Sequence, residues 1–205
     1  MSEHILVQRD GPVVRVVLNR PDKRNAFNGQ TIDELMAAFT ALSDDQETRV
    51  IILAAEGKTF CAGADLGWMR EMAMSGQANN GEGARRMAGL FGLIDQCRKP
   101  VIARVHGATI GGGTGIVSAC DIPVASAAAK FGFSEVRLGL APAVISPYVV
   151  ARIGSVAARE LFVTGERFSA ERACAIGLVN YVEADDAALD GRIEHLTREI
   201  LQGAP

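Results

Sequence analysis

The chain reads as an α/β protein built from a repeated ββα-type unit, and three observations predict it. Two short apolar, β-rich runs, Val50–Ala54 and Val101–Val105, have the composition of buried strands. Each leads through a turn of small residues, Gly57 to Asp65 in the first case and Gly111-Gly112-Gly113 in the second, into an apolar segment that starts a helix. Amphipathic segments of helical length lie before, between and after the two copies, so strand, turn and helix start recur at 50–69 and 101–120.

In chain order, Ile5–Gln8 and Val13–Leu18 flank Asp10-Gly11-Pro12, a hairpin signal. Asn19 to Phe27 is a polar loop with three cations, Arg20, Lys23 and Arg24, open to two readings: a solvated turn or a contact for an anionic ligand. Ile32, Leu35, Met36, Phe39 and Leu42 recur at helical spacing, which predicts a helix over Gly29–Asp44. Ser75–Gly83, rich in Gly and Asn, is expected as a mobile loop, and Gly83 to Gln96 as a helix with Met87, Leu90, Leu93 and Ile94 on its inner side. A helix over Thr114–Cys120 and a strand over Asp121–Ser126 follow the glycine triplet. Further on, Ser146 is expected as the N-cap of a helix with Pro147 at its first position and Tyr148–Ile153 in its body. Helices over Ser155–Thr164, Ser169–Ile176 and Asp185–Leu201, with Gly177 as a helix stop before a strand at Val179–Val182, complete the pattern. No low-complexity linker divides the 205 residues, which are expected to form a single domain.

Apolar residues make up 48% of the chain and charged ones 22%, an ordinary balance for a globular protein. A formal charge of −3 argues against a nucleic-acid partner, because neutralising phosphates requires a basic face. No apolar run reaches membrane-spanning length, and Met1-Ser2-Glu3-His4 lacks the start of a signal peptide, so a cytoplasmic protein without a membrane partner is expected. Cys61, Cys97, Cys120 and Cys174 have no metal-ligand spacing and read as buried free thiols.

The two small-residue turns carry the first chemical expectation. Glycines let a ligand approach the main chain, and a helix that begins there adds unpaired N–H groups and its positive dipole end. Either turn alone is explained as a tight connection. If the two meet in space, each can donate one N–H to a single carbonyl oxygen, the arrangement that stabilises an oxyanion. The second expectation is Glu135, a lone acid amid Phe133, Val136, Leu138 and Leu140, where desolvation would raise its pKa toward that of a proton carrier. Other polar residues receive plainer readings: His4, His106 and His195 are far apart, Asp121 pairs or caps at the start of a strand, and Asp65 caps the helix behind Ala64. GxSxG, GxGxxG and metal-cluster spacings are absent from the sequence, so no metal is expected.

Six motifs in order, NRPDKRNAF (19–27), FCAGADL (60–66), GGGTG (111–115), ACDIPVAS (119–126), FGFSEVRLGL (131–140) and VTGERFSAERACAIGLVN (163–180), span nearly the whole chain. Through them the sequence resembles the enoyl-CoA hydratase/isomerase, or crotonase, family. The resemblance implies a spiral of ββα units followed by C-terminal helices, a homo-trimer or dimer of trimers, and an acyl-coenzyme A thioester as the bound partner. It implies that coenzyme A enters as part of the substrate, with no separate cofactor. It places the two oxyanion-binding N–H groups on Ala64 and Gly112, in the turns already singled out. Lys23, Arg24, Ala26 and Ala62 fall where relatives hold the adenine and phosphates of coenzyme A. Asp65, Leu66, Trp68, Met69, Gly111, Gly115 and Arg137 complete the substrate-binding positions it suggests.

Two departures matter. Hydratases with two catalytic carboxylates carry one at the position of Gly115 and another at that of Glu135; this chain keeps only the second. One carboxylate suits water addition on a single face or a 1,3-proton shift, so hydratase, isomerase and non-catalytic acyl-CoA binder all stay open. The second departure is length: the family usually continues into further helices where this sequence stops at Gln202-Gly203-Ala204-Pro205, so that segment is expected either to lie outside this sequence or to be naturally absent, and a truly short form would expose apolar surface. DLGWM (65–69) and SEVRLGLAPAVISPYV (134–149) look like the methylglutaconyl-CoA hydratase branch of the family, whose substrates bear a distal carboxylate. Arg137 would then face that carboxylate or serve as a structural ion-pair partner. Trp68 and Met69 would wall the acyl pocket or belong to the core.

Overall fold

The computed structural model describes residues 4–74 and 77–204. Strands β1 (Ile5–Asp10) and β2 (Val13–Leu18) form the expected antiparallel hairpin, with Gly11 in the left-handed region its turn requires. Helix α1 (Gly29–Asp44) is capped by Asn28, whose side chain accepts from the Thr31 N–H, and it buries Ile32, Leu35, Phe39 and Leu42. Then the repeat begins: β3 (Val50–Ala55), β4 (Thr59–Cys61) and the helices α2 (Leu66–Met74) and α3 (Gln77–Asp95); β5 (Val101–Val105), β6 (Ala108–Ile110) and α4 (Gly112–Ala119); β7 (Ile122–Ser126), β8 (Lys130–Gly132) and, after a 3-10 turn at Glu135–Leu138, α5 (Ser146–Thr164). The chain closes with β9 (Arg167–Ser169), α6 (Ala170–Ala175), β10 (Tyr181–Glu183) and α7 (Asp186–Gln202).

The first strand of every unit joins a six-stranded sheet, order β1-β2-β3-β5-β7-β10, and the second joins a four-stranded sheet, order β4-β6-β8-β9. Each unit therefore advances the chain by one strand in both sheets, which is a spiral. Along β3, Ile51 and Leu53 enter the main core with Phe39, Phe60 and Val117, while Val50 and Ile52 meet Leu189 and Ile193 of α7 on the opposite face. Both faces are covered, which explains why Val50–Leu53 is apolar without alternation. No helix among the described residues is long and apolar enough to cross a membrane.

Several expectations are corrected. The stretch read as a loop, Ser75–Gly83, is helical from Gln77 onward, and its Ser75 and Gly76, like Met1 to Glu3 and Pro205, lie outside the described residues. Gly83 lies within α3 and packs toward Trp68 and Met72 of α2, where a Cβ would sit at the ordinary contact distances of 3.5 and 3.6 Å, and it makes no turn. The second strand of each expected ββα unit has no signature of its own in the sequence, because strands of three residues are too short to show a period. Helix α4 starts at Gly112, two residues earlier than expected. Ser146 is the first residue of α5 and Ile145 its N-cap; the Ser146 hydroxyl donates to Ala143 O instead. The two helices expected on either side of Gly154 are present, divided at that glycine, whose backbone is non-helical (φ +74°); they share the label α5. All four cysteines are free, Cys61 and Cys120 buried as expected and Cys97 and Cys174 only half-buried.

Candidate active site

The two small-residue turns lie against each other. A Cβ on Gly63 (φ +89°) would stand 2.8 Å from Ile110 O and 3.3 Å from Gly112 N, and one on Gly113 would stand 2.5 Å from Cys61 O. Only glycine allows main chain to meet main chain this closely. Phe27 pairs with the β4–α2 turn on its other side: its N–H donates to Gly63 O, and its carbonyl accepts from Asp65 N–H. Amides of successive residues in such an extended bridge face opposite ways, so the Ala64 N–H is turned away from Phe27. Gly112 opens α4, and its N–H has no helical carbonyl to meet.

Glu135 stands beside this junction. Its carboxylate lies against Gly111, where a Cβ would be 3.2 Å from Oε1, and Oε2 is buried without a hydrogen-bond partner. Burial raises its pKa above the ordinary glutamate value, and a bond to its own N–H lowers it less. The origin of that burial differs from the expected one. Val136, Leu138 and Leu140 are themselves exposed, 40 to 51%, and it is the Gly111 turn that lies against the acid.

At Gly115 a side chain has no room. A Cβ there would fall 2.3 Å from Ile145 Cγ2 and 3.5 Å from Phe91 Cζ, and Ile145 is buried to 2% exposure. Gly115, expected among the substrate-binding residues, does not line the cleft; Ile145 does.

The cleft has a volume of about 790 Å³. It is lined by Gly111, Gly112, Glu135, Ala62 and Ala64, by Leu66, Trp68 and Met69 of α2, and by Lys23, Arg24, Ala26, Asp65 and Arg137, so every other expected site residue reaches it. Asp65 caps α2, accepting from the N–H groups of Gly67 (2.9 Å) and Trp68 (3.3 Å). Burial raises the pKa of its carboxyl, but those two N–H groups and Arg20 together hold it below the usual aspartate value. Of the three loop cations, Arg20 is structural: it donates to Ala26 O (2.6 Å) and to Asp65 (3.3 Å). Lys23 and Arg24 are exposed at the cleft. Buried Asn25 fixes their loop, donating to Glu56 O and Thr59 O and accepting from the Arg20 N–H. Arg137 anchors its Nε on Gly165 O (3.0 Å) and pairs with no carboxylate among the described residues.

Sequence reasoning missed Ile145, Met72, Met87 and Ser134 as cleft residues. The helical spacing of Met87 predicts a core residue. Ile145 sits between two prolines in a stretch with no period, and only the packing of α5 on α4 brings it to the site.

Residues 8–205 match the family model described as enoyl-CoA hydratase/isomerase. The short-chain-enoyl-CoA hydratase of Clostridium acetobutylicum is 34% identical over 209 residues, covering 98% of this chain and 77% of that protein. The peroxisomal Delta(3,5)-Delta(2,4)-dienoyl-CoA isomerase of Arabidopsis thaliana is 33% identical over 208 residues, covering 97% and 75%. Among solved structures, Pseudomonas aeruginosa AtuE superposes with a TM-score of 0.97 at 36% identity, covering 99% of this chain and 79% of that one.

Proposed function

Because the chain belongs to the enoyl-CoA hydratase/isomerase family, we propose that it adds water to an α,β-unsaturated acyl-CoA thioester, with Glu135 as its proton carrier. The observation that carries this reading is the meeting of three parts: the Ala64 turn, the Gly112 helix start and the carboxylate held against Gly111. Glu135 takes a proton from water as the water oxygen bonds to Cβ. The double-bond electrons move to the thioester oxygen, held by the N–H groups of Ala64 and Gly112. The protonated acid then gives its proton to Cα, and the carbonyl re-forms. One such N–H donor is worth about 3–4 kcal/mol of transition-state stabilisation. A carboxyl whose pKa is raised by burial is better matched to giving the proton back than an ordinary glutamate.

Lys23 and Arg24 are suited to the phosphates of coenzyme A, and Ala26 and Ala62 to its adenine, while Leu66, Trp68 and Met69 offer apolar wall to the rest of the thioester. For the acyl group we propose a branched 3-methylglutaconyl-type chain. Its distal carboxylate would meet Arg137, whose guanidinium keeps NH groups beyond the Nε contact to Gly165. A homo-trimer or dimer of trimers in the cytoplasm, with no cofactor besides the substrate's own coenzyme A, belongs to the same proposal.

A second reading has its own support. Ile145 leaves no room for a second carboxylate at Gly115, and a single acid can move a proton from one carbon to another without water. The test is to incubate the purified protein with a panel of 2-enoyl-, 3-enoyl- and 3-methylglutaconyl-CoA esters in isotopically labelled water. Labelled oxygen in the product supports the hydratase, and a 3-enoyl to 2-enoyl conversion without it supports the isomerase. Tight binding with no turnover on any ester would leave an acyl-CoA binder.

A further inference from the structure

Water addition by a single carboxylate leaves one task open: something must hold the water while Glu135 draws off its proton. In this cleft a carboxylate at position 115 is ruled out by Ile145. The other polar side chains at the wall are already engaged or belong elsewhere. Asp65 caps α2 and pairs with Arg20, the NH groups that Arg137 keeps beyond its Gly165 O contact are assigned to the distal carboxylate of the substrate, the Trp68 indole nitrogen lies by Gly29, and Asp22, Lys23 and Arg24 belong to the exposed turn.

Ser134 remains. It lines the cleft next to Glu135, and its Oγ would lie 3.6 Å from a Cβ on Gly111, the same point that Glu135 Oε1 approaches to 3.2 Å. Both oxygens therefore face the residue preceding the Gly112 amide. Serine at the start of a helical turn ordinarily caps it, but here the hydroxyl makes no cap bond to the 3-10 turn it precedes. Its backbone (φ −89°, ψ 0°) carries the chain from buried Phe133 to the acid.

We infer that Ser134 positions the reacting water: its Oγ accepts one O–H of the water, leaving the other O–H to be taken by Glu135. No bond to Ser134 forms or breaks; the proton passes from water to the carboxylate and then to Cα. The inference rests on the hydratase reading.

The test separates water addition from proton transfer to carbon. Ser134→Ala and Ser134→Thr are compared with wild type in two assays, hydration of a 2-enoyl-CoA and exchange of the Cα proton of a saturated acyl-CoA with deuterated water. Hydration by Ser134→Ala is expected to fall about tenfold, the effect of losing one hydrogen bond of ordinary strength. Its Cα exchange, which needs only Glu135 and the oxyanion donors, stays at the wild-type rate, and Ser134→Thr recovers hydration. Unchanged hydration in Ser134→Ala overturns the inference, as does a parallel fall in both assays, which would mean that the serine merely supports Glu135. A wild-type protein that exchanges Cα protons yet never hydrates overturns the hydratase reading and this inference with it.

Discussion

Ile145 Cγ2 lies 2.3 Å from the point where Gly115 would carry a Cβ, and Ile145 Cβ lies 2.9 Å from it. Glycine and isoleucine at these two positions are thus one packing decision between α4 and the start of α5. The single-carboxylate site follows from that decision, because no acidic side chain can be placed at 115 while residue 145 stays branched and buried.

Gly115→Ala alone should destabilise the fold by about 1–3 kcal/mol, the usual cost of overpacking a core. For a chain of this size that lowers the melting temperature by about 2–4 °C per kcal/mol. Ile145→Ala alone leaves a cavity and costs about 2–5 kcal/mol. The double variant should lose less than the sum, since the new methyl group enters the vacated space. Urea unfolding of the four proteins measures the coupling, and simple additivity would refute direct competition for that space.

Glu135→Gln should lower kcat/KM by about 10²–10⁴-fold, the range for a general acid–base group, while binding of a saturated CoA ester is kept. Its stability should move the other way. Burial raises the carboxyl's pKa in the fold, so the folded chain bears a cost for the charge that is present above that pKa and relieved as pH falls through it. The glutamine variant should therefore be the more stable protein near neutral pH and converge with wild type below the ordinary glutamate pKa. In the wild type, the acid limb of the kcat/KM profile should lie above the ordinary glutamate range. A variant less stable than wild type at neutral pH would contradict this account of Glu135.

What could be read from residues alone was whatever declares itself locally. Val50–Ala54 and Val101–Val105 are strands because both faces are covered, and Gly63 and Gly113 are glycines because main chains touch there. The repeat of those two patterns also suggested that they meet. What depends on distant partners was not legible. Arg20 looks like Lys23 and Arg24 in sequence, and only the fold sets it on Ala26 O and Asp65. Gly83 looks like a loop glycine until Trp68 and Met72 are packed over it. The Met72 and Met87 walls, and Ile145 most of all, required knowing which helix covers which.

Asp65→Ala should cost about 1 kcal/mol through loss of the α2 cap, and Asp65→Asn, which keeps an acceptor, less. The hydrogen bonds from Trp68, Gly67 and Arg20 outweigh burial and depress the carboxyl's pKa, so its contribution is present above the unfolded aspartate pKa and lost as pH falls through the folded one. The gap between wild type and Asp65→Asn in denaturant midpoint should close in acid. A gap that persists there would mean that charge plays no part in the cap.

Lys23 and Arg24 are exposed at the cleft and have no ion-pair partner among the described residues, so their charges are available to a ligand. Lys23→Ala and Arg24→Ala should each weaken binding of a CoA ester a few-fold at low salt, as exposed charge pairs are worth about 0.2–1 kcal/mol. Raising ionic strength should shrink the difference from wild type, because counterions screen such contacts. In steady-state assays KM should rise while kcat holds, the pattern of a contact made equally in ground and transition state. Repeating the titration with an ester of dephospho-CoA locates the contact. If the side chains meet the 3′-phosphate, wild type and variants should bind that ligand alike; a difference that survives its removal would move the contact to the pyrophosphate.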